Sequence, residues 1–356
     1  MVPLEKYSYK AKILQKYARG WLLPYLRSRM HSSKFHPIVA HLFTEGKCNI
    51  HCHYCYSYYN KMDGMTYDTA VKAIDYLKKV GCRVFGFMGG EPLMRSDFVI
   101  KVVEYGAKNG FFVDLATNGL LLTEDIIDQL GQAGIASINL AVDCVEKKPG
   151  LPKCLSQNKK IFEYLVENRH KYGYLLFLNV NITSKNMDDA RLLTEIACKN
   201  EIGIDYHINE APIDEEGREE YGENKFLLTK ADWKELDLLI DFIIAKQQSN
   251  DCTIVNSKDH LLAMKDFVRG KLKPWKCHAG HNALVICEDG AIVPCMGLYP
   301  FQRDWGSIDD YKFDPERLAN QIKECNSKCL STVHYQLSGA YNNFFANDAW
   351  RTWTWR

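Results

Sequence analysis

From about residue 38 to residue 248, short apolar runs alternate with longer segments whose apolar positions recur at helical spacing, the pattern of βα units around a parallel sheet. The runs expected as strands are residues 38–43, 83–88, 111–117, 136–142, 175–182 and 204–209. Between them, Ala70, Val71, Ile74 and Leu77 fall on one face of a helix over 67–80. Thr123 precedes Glu124 and Asp125, placing negative charge in the first turn of another helix, where the macrodipole favours it. Leu228, Thr229, Asp232 and Trp233 read as a hydrophobic staple with a capping box, opening a helix that runs towards Lys246. Six units are too few to close an eight-stranded barrel. The expected fold class is therefore α/β, an open partial (β/α)6 barrel of TIM-like type, with its working residues at the C-terminal ends of the strands.

Composition changes this picture little. A chain of 356 residues, 46% apolar and 25% charged, is ordinary globular protein. Its 45 basic and 44 acidic residues leave a formal charge of +1, so nucleic acid is not an expected partner. The first 37 residues carry eight Lys or Arg and one acid, which makes the lead-in basic and the remainder acidic on balance. Thirteen cysteines are an odd number in a chain too long to need stapling. No secretory leader is expected, and the apolar stretch from Trp21 to Leu26 is broken by Pro24 and followed by Arg27 and Arg29, so no transmembrane helix is expected either. The expected location is cytoplasmic, where clustered thiols more often hold metal than form bridges.

The loop after the first strand has Cys48, Cys52 and Cys55 within CNIHCHYC, close enough to bind one inorganic centre. Three thiolates leave one iron of a four-iron cubane without a protein ligand, which is what reactivity requires of a metal centre. Zinc, which prefers four ligands, and chance buried thiols are the alternatives.

Cys48, Cys52 and Cys55 in CxxxCxxC, with the aromatic Tyr54 before the last cysteine, resemble the signature of the radical S-adenosylmethionine (radical SAM) enzymes. Met88-Gly89-Gly90-Glu91-Pro92, at the end of the second strand, resembles that family's GGEP motif, which implies contact between Gly89, Gly90, Glu91, Pro92 and the methionine amino group of the cofactor. Glycines that lack a Cβ let the backbone come close to a ligand, and Pro92 stiffens the exit. Thr117-Asn118-Gly119 and Asn139 to Asp143 resemble the family at the next two strand ends. Ala141 stands where a Ser is common, so no ribose ligand is assigned there; Asn118 and Asn181 are the further cofactor candidates, Asn181 being equally suited to local backbone bonding. The resemblance implies a partial barrel that binds S-adenosylmethionine at a 4Fe-4S cluster, takes an electron from a donor such as flavodoxin or ferredoxin, and releases a 5'-deoxyadenosyl radical that abstracts hydrogen from an unactivated carbon.

Beyond residue 250, Cys277, Gly290 and Cys295 are similar to the opening of the SPASM or twitch extension found in a subgroup of these enzymes, and Cys325 and Cys329 follow. The resemblance implies that the four thiolates ligate a second 4Fe-4S cluster; Cys287 is available as a substitute, and a zinc ribbon closed by the same cysteines remains open. The segment CEDGAIVPC reads as a hairpin that presents Cys295. The expected organisation is a lead-in over 1–37, the barrel over 38–250, the auxiliary-cluster domain over 251–335 and an aromatic tail over 336–356.

Cys82, Cys144, Cys154, Cys198 and Cys252 are expected to be mostly inert buried thiols; Cys144 or Cys154 is also placed to donate hydrogen to a product radical. His207 and Glu210 are candidate acid or base groups, with a satisfied His and a solvated Glu as the plainer reading. The lead-in sets Ile13, Leu14, Tyr17 and Trp21 on one face with Lys10, Lys12, Lys16 and Arg19 around it. It suits an anionic membrane surface or a partner, and packing on the barrel is the favoured expectation. Trp350, Trp353 and Trp355 crowd the end with Arg351 and Arg356, while 214–223 reads as an acidic loop. Three functions compete: a radical enzyme for a small-molecule, sugar or lipid-like intermediate, one that modifies a peptide or protein side chain, and a non-catalytic metal scaffold.

Overall fold

The computed structural model describes residues 4–30, 35–52, 54–55, 63–208, 226–249, 252–299, 302–325 and 329–342. Glu210, the acidic stretch 214–223 and the tail tryptophans with their arginines lie outside them.

The chain opens with α1 (Leu4–Tyr17), a π-helical turn (Ala18–Leu22) and α2 (Leu23–Met30). Pro24, which cannot donate a backbone hydrogen bond, falls just after the π turn. The parallel strands that follow are β1 (Val39–Glu45), β2 (Val84–Gly89), β3 (Phe112–Thr117), β4 (Ser137–Ala141), β5 (Leu175–Ile182) and β6 (Gly203–Ile208). All six fall on the apolar runs read in the sequence. The intervening helices are α3 (Tyr67–Val80), α4 (Ser96–Lys108), α5 (Glu124–Ala133), α6 (Lys159–Tyr172) and α7 (Met187–Lys199). In α3, Thr66 caps the N-terminus by accepting from Thr69 N, and Gly81, at a φ of 88°, ends the helix. Ala73 joins Ala70, Ile74 and Leu77 in the core, while Val71 turns to a half-buried position. Thr229 and Asp232 form the expected capping box ahead of α8 (Trp233–Gln248).

Two features exceed the six expected units. β7 (Thr253–Ile254) extends the sheet beyond β6, and β8 (Ala283–Ile286) lies parallel to β1 at the other side, giving the order β7-β6-β5-β4-β3-β2-β1-β8-β9. β9 (Ile292–Val293) pairs antiparallel with β8, so the hairpin's second strand falls within CEDGAIVPC, while its first strand lies just before that segment. The sheet thus runs across the boundary expected at residue 250. Helices α9 (Lys258–Val268), α10 (Pro315–Cys325) and α11 (Thr332–Asn342) complete the described elements. No described helix is long and apolar enough to cross a membrane.

Alternation along the strands sorts side chains into two layers. Leu42, Phe85, Leu115, Leu140 and Leu178 pack outward under the helices as the main core. Val39, Val84, Phe112 and Leu175 point inward at the strand starts, where Tyr9 and Ile13 of α1 plug them. The lead-in therefore packs on the barrel largely by the expected face: Ile13 is buried and Trp21 packs against the same cluster, whereas Leu14 is 65% exposed and Tyr9 joins the core. Lys16 Nζ donates to Ile135 O and Gly173 O at 2.8 and 2.9 Å, fastening the helix to the loops beneath the sheet. Cys198 and Cys252, expected as single thiols, are joined in a disulfide; β7, by extending the sheet, brings the chain back beside the end of α7.

Candidate active site

The cysteine loop leaves the sheet at the end of β1, where a bulge between Phe43 and Glu45 shifts the pairing with β2. Two contacts hold its base. Met65 N donates to Thr44 O at 3.0 Å where the chain returns, and Arg95 donates to Met65 O at 2.8 Å. The end of β2 then docks on the loop itself, with Gly90 N donating to Glu45 O at 2.7 Å and Glu91 N to Lys47 O at 2.9 Å. A Cβ at Gly89 would lie 2.1 Å from Glu45 O, and one at Gly90 would lie 2.1 Å from Lys47 O. The two glycines therefore bring backbone against the cysteine loop.

Glu91 is 1% exposed and its carboxylate is fully engaged. Oε1 accepts from Thr117 Oγ1 at 2.7 Å and from Leu93 N at 3.0 Å, and Oε2 accepts from Asn118 N at 2.8 Å. Burial pushes its pKa up, against the pull of those donors. Asn118 in turn donates from Nδ2 to Asn49 Oδ1 at 2.8 Å, reaching into the cysteine loop. Glu91 and Asn118 are thus tied into the protein, and Pro92 begins the 3-10 turn that Glu91 caps. Asn181 is 8% exposed, and its backbone N–H donates to Asp143 Oδ1 at 3.2 Å.

The three thiols lie near one another. Cys48 and Cys52 each feel Cys55, and both feel the Lys153 ammonium. Burial raises the Cys48 pKa and pushes that of Cys52 up to about 12. A cationic centre would convert such thiols to thiolates by displacing protons, and soft sulfur donors suit iron–sulfur clusters. Among the described residues no three His, Cys, Asp or Glu converge closely enough for a single ion. A cubane, with four irons, holds its thiolates further apart than one ion does, so the residues fit that group.

Beside the thiols lies a buried polar trio. Tyr54 hydroxyl donates to Asp143 Oδ2, Lys153 Nζ stands 3.3 Å from the same oxygen, and that ammonium lies 5.1 Å above the Tyr54 ring. The Tyr54 pKa is raised well above its ordinary value by burial and then by Asp143. Burial opposes the Lys153 charge, but Asp143, Cys52 and Cys55 outweigh it and raise the pKa. Lys153 was missed in the sequence: one lysine in a loop containing several carries no pattern, and only the fold brings it to the cysteines. Cys144 and Cys154 are both buried at the base of that loop, packed with Leu151 and touched by Tyr54.

The second cysteine group is assembled by β8, β9 and α10. Burial pushes Cys277 up to about 11 and Cys295 up to about 12, with Cys325 acting on both and Cys277 on Cys295. These three are therefore neighbours. Cys329 Sγ accepts from Ser331 N at 3.4 Å. Cys287 sits at the end of β8 in other company, buried beside Arg303 and Glu288. His207 lies on the inner face of β6, between Asn179 at 2.9 Å and Asp205 at 3.0 Å.

The model of the Radical SAM superfamily matches residues 44–192, from the end of β1 into α7, and so spans the cysteine loop, the GGEP turn and the next two strand ends. Over these residues the chain is similar to the radical SAM superfamily. S-adenosylmethionine with a 4Fe-4S cluster are the cofactors that this similarity implies. It is 28% identical over 180 residues to the AdoMet-dependent heme synthase of Methanosarcina barkeri, a match covering 48% of this chain and 49% of that protein, so the chain matches about half the length of this curated relative. Among solved structures, Streptococcus suis SuiB bound to S-adenosylmethionine superposes with a TM-score of 0.64 at 15% identity, covering 86% of this chain and 73% of that one. The structure of anSMEcpe with bound AdoMet and the Cp18Cys peptide gives 0.56 at 18% identity, covering 88% and 97%. The fold, a partial barrel with a C-terminal extension, is thereby shared with both.

Proposed function

We propose that Cys48, Cys52 and Cys55 hold the 4Fe-4S cluster at which S-adenosylmethionine binds, and that the enzyme abstracts a hydrogen atom from an unactivated carbon of a small-molecule, sugar or lipid-like intermediate. The observation that carries the cluster assignment is the mutual approach of these thiols on a loop that Gly89 and Gly90 clamp at backbone distance. A cluster held by Cys48, Cys52 and Cys55 would supply the one-electron reduction that cleaves S-adenosylmethionine to methionine and the 5'-deoxyadenosyl radical needed for hydrogen abstraction, the electron coming from the external donor.

The chain's own residues fix position and exclude water. Glu91 locks the ends of β2 and β3 together, Asn118 and Asn49 join β3 to the cysteine loop, and Tyr54 with Asp143 ties that loop to β4. Lys153 supplies a fixed positive charge beside the thiols. Asn181 stays with Gly89, Gly90, Glu91, Pro92, Tyr54 and Asn118 in the shell proposed around the cofactor. Cys277, Cys295, Cys325 and Cys329 are proposed to hold an auxiliary 4Fe-4S cluster in the extension, and a flavodoxin or ferredoxin to deliver the electron. The name of the heme synthase relative speaks of a non-peptide product, in keeping with a small-molecule substrate. A peptide side chain is the second reading, favoured by the peptides named in the structures of anSMEcpe and of SuiB bound to its precursor.

Anaerobically prepared, reduced protein given S-adenosylmethionine is expected to release methionine and 5'-deoxyadenosine, and the Cys48→Ala/Cys52→Ala/Cys55→Ala variant to release neither. Cleavage by the triple variant would overturn the assignment. Deuterated candidate substrates then separate the two substrate readings by which of them transfers label to 5'-deoxyadenosine.

A further inference from the structure

A cavity of about 250 Å³ lies inside the sheet at the end opposite the cysteine loop. Its walls come from the first few residues of each strand, and its floor from the π turn after α1 and from α11. The separation from the cofactor site follows from strand geometry. Asp114 in the cavity and Asn118 at the rim are four residues apart, roughly 13 Å at about 3.3 Å per residue.

The lining is apolar and aromatic over most of its surface, with Trp21, Phe112, Leu175, Phe177 and Leu337. At one side it changes character. Asp114, Asp205, Asn139 and His41 converge there from β3, β6, β4 and β1. Asp205 is 8% exposed; its Oδ2 bonds His207, but its Oδ1 has no partner. Asn139 Oδ1 is buried without a partner as well. These are both acceptors, and leaving such groups unmatched costs on the order of 1–3 kcal/mol each. Among the described residues no Lys or Arg lines the cavity. His41 does not offset the acids, because burial holds its pKa down at about 4 and keeps the ring neutral at neutral pH. The two carboxyl groups feel each other: burial first, and then Asp205, push Asp114 up to about 6.

We infer that this chamber is a second ligand site, which takes a small molecule with an apolar or aromatic body and a protonated amine at one end. The amine carries up to three N–H donors and a positive charge, matching the two unpartnered acceptors and the two acids that no described cation faces. Aromatic walls attract the same cation over their ring faces. An apolar cavity of about 150 Å³ is enough for benzene, so this one holds an aryl ring with a short chain. The site is separate from the reaction proposed above and does not depend on it.

The test is calorimetric titration of the full-length, cluster-loaded protein with 2-phenylethylamine and with 2-phenylethanol, a neutral molecule of the same size. The amine is expected to bind at least about ten-fold more tightly than the alcohol, because a buried charge would otherwise lose its partner. Asp205→Asn is expected to abolish that preference while leaving the alcohol's affinity unchanged. Gly86→Val narrows the chamber beside the acids; its Cβ would meet Asp114 Oδ2 at 3.4 Å and His41 Cδ2 at 3.5 Å, ordinary contacts. That variant should lose both ligands, with circular dichroism and S-adenosylmethionine binding retained. Equal affinity for amine and alcohol, an amine affinity untouched by Asp205→Asn or by Gly86→Val, or no binding of either probe at millimolar concentration would each overturn the inference.

Discussion

The two ends of this sheet treat buried polar groups in opposite ways. At the C-terminal rim, every oxygen of Glu91 and Asp143 is engaged by a donor from another element, and the result is a rigid frame around three thiols. At the N-terminal end, Asp205 Oδ1 and Asn139 Oδ1 face a cavity without partners. The difference teaches that one inner surface serves two purposes. A reactive centre needs its frame preorganised and closed to rearrangement, whereas unmatched acceptors are an incentive to bind something that donates.

Breaking the rim should have the larger consequences. Gly90→Val forces a Cβ to within 2.1 Å of Lys47 O, so the loop must move; we expect near-complete loss of iron at the first site, measured as a drop of about four irons per chain in anaerobically reconstituted protein. Lys153→Met leaves Asp143, which is 0% exposed, without its cation; a loss of roughly 3–5 kcal/mol in denaturant unfolding is expected. Glu91→Gln keeps the shape but can turn an amide N–H towards Asn118 N–H or Thr117 Oγ1, for a milder loss of about 1.5–3 kcal/mol and reduced cofactor cleavage.

The smallest effect sharpens the comparison from the side of the chamber. His334, buried near His41, has its pKa lowered to about 3 by burial and then by His41. The folded state then binds fewer protons than the unfolded state between about pH 6.5 and 3, so the residue makes stability fall as pH drops through that window. His334→Phe should remove up to ~2 kcal/mol of the loss between pH 7 and pH 5, read by urea unfolding at the two pH values. An unchanged slope would show that His334 is protonated in the native chain.

Strand and helix periods are local properties, and they survive in the sequence because each βα unit buries its own apolar face. The six central strands, the Thr66 and Thr123 caps and the Thr229 capping box were legible for that reason. The cysteine loop and the GGEP turn were legible because their residues are contiguous. β7 and β8 were not, since β7 is two residues long, β8 only four, and both are strands chiefly by virtue of the edges they join.

The sequence by itself determined the repeated unit, the three-cysteine loop and the likeness to the radical SAM family. Only the tertiary structure decided what Gly89 and Gly90 are for, that Lys153 stands beside the thiols, that Tyr9 and not Leu14 enters the core, and that Asp114 and Asp205 share a chamber. The physical reason is that each of these depends on residues tens of positions apart meeting across the sheet, and no local periodicity encodes such a meeting.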